Sequence, residues 1–136
     1  MAIYQVEESK FVNSPTIANI VAQGNYSAYT IVRLAFDATT NTWTGTQTDG
    51  TSTNHMGTLA VIQKATTASD RNTWGIIYGE TSIATDLSAV SNLDGGEALE
   101  LAASGGVGLY TTATLRRVGY VTDETNDKIF FNGNGI

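Results

Sequence analysis

The residues whose types could do chemistry are His55, the acidic cluster Asp123, Glu124 and Asp127, the glycine run Gly105-Gly106-Val107-Gly108 and the basic pair Arg116-Arg117. A bound zinc or copper takes several His, Cys or carboxylate ligands at short spacings. His55 is the chain's single histidine and there is no cysteine, so it reads as a loop residue and no metal is expected. The three carboxylates lack the alternating ligands and downstream glutamate of a calcium loop. They read as a solvated hairpin turn. After the glycine run no helix is expected to follow, and no Lys-Ser/Thr completes a phosphate-binding loop. A glycine turn leading into a strand explains it, and no cofactor is expected. Ser, His and Asp all occur, but no Gly-x-Ser-x-Gly elbow does. Asn25-Tyr26-Ser27 fits the glycosylation pattern, which matters only in a secreted chain. In a strand, Arg116 and Arg117 point to opposite faces. One is then expected to meet solvent and the other a carboxylate of the subunit or its neighbour. The chain is read as a non-enzyme.

Positioning such residues falls to elements that composition already limits. At 136 residues one domain is the default. A chain of this size buries enough surface to dispense with disulfides or metal staples. Lys and Arg total 7 against 13 Asp and Glu, for a net charge of −6. That is a poor basis for gripping a phosphate backbone, so nucleic acid is not an expected partner. No apolar run approaches the ~18 residues of a membrane span. The start, Met1-Ala2-Ile3-Tyr4-Gln5-Val6-Glu7-Glu8, lacks the basic and apolar stretches of a signal peptide. The expectation is synthesis in the cytoplasm, with release by lysis or within a larger particle.

The bias toward Thr, Gly and Asn describes an all-β chain with many turns. Thr is stiff and β-branched, and Gly and Asn supply positive-φ turn positions. The strongest strand signal in the first half is Tyr26 to Phe36. It puts Thr30, Val32, Leu34 and Phe36 on one face and Tyr29, Ile31, Arg33 and Ala35 on the other. Both faces are apolar enough for a central strand. Asp37 to Gly57 is a protruding Thr-rich hairpin or a long surface loop. Further strands are expected at Thr58 to Gln63, Thr73 to Gly79, Ala98 to Ala102 and Val107 to Thr112. The spacing of Leu87, Val90 and Leu93 after Asp86 leaves room for one short helix. Leu115 to Thr122 and Lys128 to Asn132 flank a polar five-residue cluster, which predicts a terminal hairpin. About eight strands with regular turn signals predict a small β-sandwich or a β-tulip/barrel. Core packing is the expected place of Trp74, Tyr110, Tyr120, Phe130 and Phe131.

Over Glu97 to Ile136 the chain resembles tailed-phage head decoration, or cement, proteins. The resemblance rests on Gly106-Val107-Gly108-Leu109-Tyr110, Arg117-Val118-Gly119-Tyr120-Val121 and Lys128-Ile129-Phe130-Phe131-Asn132. It implies a β-sandwich or β-tulip body, usually trimeric, on the exterior of an icosahedral capsid. The partners it implies are the major capsid protein and the chain itself, and the location is the virion. It also implies an extended N-terminal arm (residues 1–14) ahead of a single β domain (15–136). Ile3, Tyr4, Val6, Phe11 and Val12 are then the candidate capsid-binding residues, through strand addition to the shell. Trp43, Arg116 and Arg117 are candidates for a subunit contact or an exposed tip. A tail or fibre-tip component with a receptor-binding role is the alternative. A cupin-like enzyme would need a ligand cluster that one histidine cannot supply.

Overall fold

A computed structural model describes residues 16–49, 57–90, 93–111 and 116–134. The expected arm, with Ile3, Tyr4, Val6, Phe11 and Val12, lies outside the described residues, as does His55.

Among the described residues there are nine strands: β1 (Thr16–Ala22), β2 (Ile31–Asp37), β3 (Thr42–Gln47), β4 (Leu59–Ile62), β5 (Asn72–Ser82), β6 (Ala98–Ala102), β7 (Gly106–Leu109), β8 (Arg117–Asp123) and β9 (Lys128–Asn132). The first five close on themselves in the order β1-β3-β2-β4-β5, with β5 pairing back onto β1. Every pair in that ring is antiparallel except β1–β3. The other four extend from β5 in the order β9-β8-β6-β7. The body is thus a five-stranded barrel with a four-stranded extension and no helix of seven residues or more among the described residues. The expected sandwich or tulip with a short helix is corrected on both counts. The pairing turns on β5, which at 11 residues serves two sheets. Its first half closes the barrel against β1 and β4, and its second half carries β9. Turn spacing counts strands but does not say which strand is shared.

The segment expected to form a helix makes only a 3-10 turn at Leu87–Ala89. Asp86 does not cap it. Instead the Leu87 amide donates to Asp127 Oδ1 from the β8–β9 turn, at 2.8 Å. Leu87 and Leu93 are both buried in the larger core, so tertiary packing satisfies the apolar spacing without a helix. The strand expected from Tyr26 starts at Ile31 because Tyr29 adopts φ 68, a left-handed corner that breaks an extended run. Its amide donates to the Ile62 carbonyl and its carbonyl accepts from Ala84.

Two cores share one wall. Leu59-Ala60-Val61-Ile62 is buried at every position. Alternation sends Ala60 and Ile62 into the barrel with Ile20, Val32 and Leu34. Leu59 and Val61 face the other way, into a larger core with Ile31, Leu99, Leu101, Val118, Val121, Ile129 and Phe131. A run apolar on both faces is what a doubly covered strand requires. A five-stranded barrel has a narrow interior, and small residues make room in it. A Cβ on Gly45 would lie 2.9 Å from both Ile20 Cγ2 and Val32 Cγ2, and one on Gly75 would lie 2.8 Å from Ile20 Cδ1.

The terminal hairpin forms as its residues predict. Asp123 Oδ1 accepts the amides of Thr125 and Asn126, and Oδ2 accepts Asn126 Nδ2 at 2.7 Å. The acidic cluster is therefore turn architecture. Bonding to the Asn126 side chain holds the Asp123 carboxyl below its ordinary range. Asp70 is held low in the same sense by Lys64 Nζ, 2.6 Å away. A carboxylate lowered in the folded state adds stability that is present above its unfolded pKa of about 4. That stability is lost as the pH falls through the lowered folded value. The urea midpoint is accordingly expected to fall below about pH 4. Asp123→Asn keeps an acceptor but cannot titrate, and should flatten that fall; an unchanged profile would discount the turn.

Candidate functional site

The side of the β1-β5-β9-β8 sheet that faces away from both cores carries large apolar side chains. On β5, Trp74 and Tyr78 are exposed while Thr73, Gly75 and Thr81 are buried. Asn19 pairs with Trp74 and Ile17 with Ile76, which places Ile17, at 53% exposed, on the same side. On β9, Ile129 and Phe131 point into the core and Phe130 points out. Glu80, Phe130 and Tyr120 are cross-strand partners over β5, β9 and β8. Their neighbourhood forms a row of rings. Tyr78 meets Phe130 edge to face at 5.0 Å, and Tyr120 stacks on Phe130 at 5.3 Å with 8° between planes. A shallow depression of about 390 Å³ lies among Tyr78, Phe130, Tyr120, Arg117 and Asn132.

β8 reaches this arrangement through a bulge. Val118 and Val121 are both buried, although three residues apart, and Arg117 and Tyr120 are both exposed. The register against β6 slips between Leu99 and Glu100, so Val118 has no opposite number. A bulge of this kind reverses the facing of all that follows. It delivers Tyr120 to the same side as Arg117, whose guanidinium lies 5.9 Å over the Tyr110 ring.

A second exposed pair caps the β2–β3 hairpin, where Phe36 and Trp43 meet edge to face at 5.1 Å. Both are about half exposed, at 50% and 44%. Beside Trp43 lies an open groove of about 580 Å³ bounded across its width by β1.

Trp43 and Arg117, singled out from sequence, are thus exposed but sit on different surfaces. The Arg116 guanidinium is half-buried, donates to the backbone carbonyls of Gly57 and Asn134, and has its pKa lowered by that burial. It ties the loop before β4 to the chain after β9. The expectation that Trp74, Tyr110, Tyr120 and Phe130 pack in the core is corrected, and of those five aromatics Phe131 alone is fully buried. Their neighbours conceal this. Ile129-Phe130-Phe131 and Gly119-Tyr120-Val121 are apolar at successive positions, so alternation leaves no polar mark on the outward face. Among the described residues no group of three His, Asp or Glu is placed to hold a metal.

The chain matches no family model, no curated protein and no solved structure.

Proposed function

We propose that this protein is a structural docking module that acts without catalysis, and that its partner is the outer surface of an assembled phage capsid. One observation carries the docking role: the row of rings Tyr78, Phe130 and Tyr120 on the outward side of one sheet, with Trp74 also exposed on β5. Contiguous exposed apolar surface of this kind is uncommon on a monomer that binds nothing. Tyr and Trp are also the residues that dominate binding hot spots, since they bury much area at low entropic cost. The capsid as partner rests on the resemblance of residues 97–136 to decoration proteins. A module that binds the assembled shell and not loose subunits stabilises the shell by mass action. Many copies spanning neighbouring subunits reinforce one another through effective concentration.

Cosedimentation of the purified protein with decoration-stripped heads tests the reading. The wild type should saturate a fixed number of sites. Tyr78→Ser/Tyr120→Ser should bind about 30-fold or more weakly, the loss expected of hot-spot rings. Its thermal midpoint should stay within a few degrees of wild type, because both rings are exposed. Failure of the wild type to pellet with any head preparation would refute the capsid as partner. Equal binding by the double variant would refute the face.

A further inference from the structure

Among the described residues, no charged side chain lines the open groove beside Trp43. Its walls carry instead one large ring, Trp43, and the carboxamides of Asn19, Asn41 and Asn72. All four residues are exposed. None of these carboxamides hydrogen-bonds to a described residue, whereas the neighbouring Thr42 hydroxyl is taken by that of Thr40 at 2.7 Å. The fold holds each group in place. Asn19 lies inside the β1–β5 ladder, opposite Trp74. The Asn72 backbone N–H donates to Asp70 Oδ1, and the same carboxylate is paired with Lys64, which fixes the start of β5. Asn41 takes a left-handed corner, φ 56, at the end of the β2–β3 turn, a conformation that Asn tolerates. Phe36 packs edge to face with Trp43 and braces the indole. Groups held in advance lose little entropy on binding.

We propose that this groove binds a neutral oligosaccharide. A pyranose ring presents a face of C–H bonds, whose partial positive charge meets the negative face of an indole. Its rim carries adjacent hydroxyls, each both donor and acceptor. A carboxamide matches such a rim because it too offers a donor and an acceptor side by side. Trp43 supplies the platform, and Asn19, Asn41 and Asn72 supply the polar rim. Ile17, also exposed, extends the apolar surface. At about 580 Å³ the groove has the size of a small-ligand site. It is open, so it suits a chain that runs through it better than a single enclosed sugar. A Trp beside amides also suits a nucleobase, but a nucleic acid or nucleotide brings phosphates, and among the described residues no cation lines the groove to meet them. The chain's net charge of −6 opposes anionic glycans in the same way. An apolar peptide would leave the carboxamides desolvated and unpaired. The site needs no capsid and stands apart from the docking role of the aromatic face.

Beads carrying neutral oligomers of glucose, galactose, mannose or N-acetylglucosamine, set beside sulfated and sialylated counterparts, test the proposal. At least one neutral oligomer should retain the protein. Titrated free into the protein, that oligomer should change the indole emission. The chain has two tryptophans, and Trp43→Phe, which keeps Trp74, should lose the change. Trp43→Ala should bind about tenfold or more weakly, the loss expected of a hot-spot ring. Asn19→Ala/Asn72→Ala should bind about fivefold or more weakly, for the hydrogen bonds removed. Its thermal midpoint should match wild type, because both side chains are exposed. If Trp43→Ala does not fold, that double variant decides. Retention by no neutral oligomer would overturn the proposal, as would retention by the anionic counterparts alone. Wild-type affinity in the Asn19→Ala/Asn72→Ala protein, or an emission change that survives Trp43→Phe, would place the sugar elsewhere and overturn this site. None of these results bears on head binding by Tyr78 and Tyr120.

Discussion

Phe131→Ala is expected to lower the unfolding free energy by about 3–5 kcal/mol, the usual range for emptying a buried aromatic site. Phe130→Ala, one residue away, should lower it by only about 1–2 kcal/mol, the worth of its two ring contacts. The difference follows from the β9 register. Phe131 is fully buried between the barrel's outer wall and the extension, where it joins Leu59, Val61 and Ile129. Phe130 lies on the opposite side, against Tyr78 and Tyr120. A domain of ordinary stability has about 5–15 kcal/mol in total, so Phe131→Ala should leave a barely folded protein. Urea titration of both variants measures the contrast. Equal losses at the two positions would mean that β9 is not paired in this register. The same pair separates folding from docking, since Phe130→Ala should weaken head binding by more than its stability loss explains.

Gly119→Ala is expected to be nearly as damaging, at about 3 kcal/mol or more. Gly119 has φ +157, and a Cβ there would sit 1.9 Å from the Phe130 carbonyl oxygen. That oxygen belongs to the paired backbone of β9 and cannot swing aside as a side chain would. Relief requires separating β8 from β9 at the bulge that turns Tyr120 outward. Gly108→Ala is the matched control, because a Cβ at that position in β7 meets nothing within 4 Å. It should be neutral or slightly stabilising, through lower entropy of the unfolded chain. Thermal unfolding of both variants tests this. A Gly119→Ala protein as stable as wild type would show that the bulge is absent.

Much of the strand content was readable because it obeys local rules. Val32 and Leu34 alternate with Arg33 and Ala35, and the structure sends the first pair into the barrel. The β8–β9 turn announces itself by Asp123 and Asn126, whose side chains bond the turn's own backbone. The outward row of rings was not readable. Tyr120 points outward only because the strand bulges at Val118, and the bulge depends on pairing with β6, a strand some twenty residues earlier. Phe130 and Phe131 are chemically identical neighbours, and only the layer each one meets distinguishes them. Arg116 and Arg117 were equivalent on paper. One is drawn to carbonyls from two distant loops and the other lies over Tyr110.

What this sequence determined by itself is the local currency of a β protein: stiff Thr-rich strands and Gly and Asp turns. These follow from torsional preferences that act within a few residues. Tertiary structure alone decided that β5 is shared between two sheets, that β4 is a wall between two cores, and that a row of aromatic rings faces outward. Each of these depends on hydrogen bonds and packing between segments far apart in the chain. Residue type sets how much a side chain gains by burial, but the partner strands decide whether it is buried.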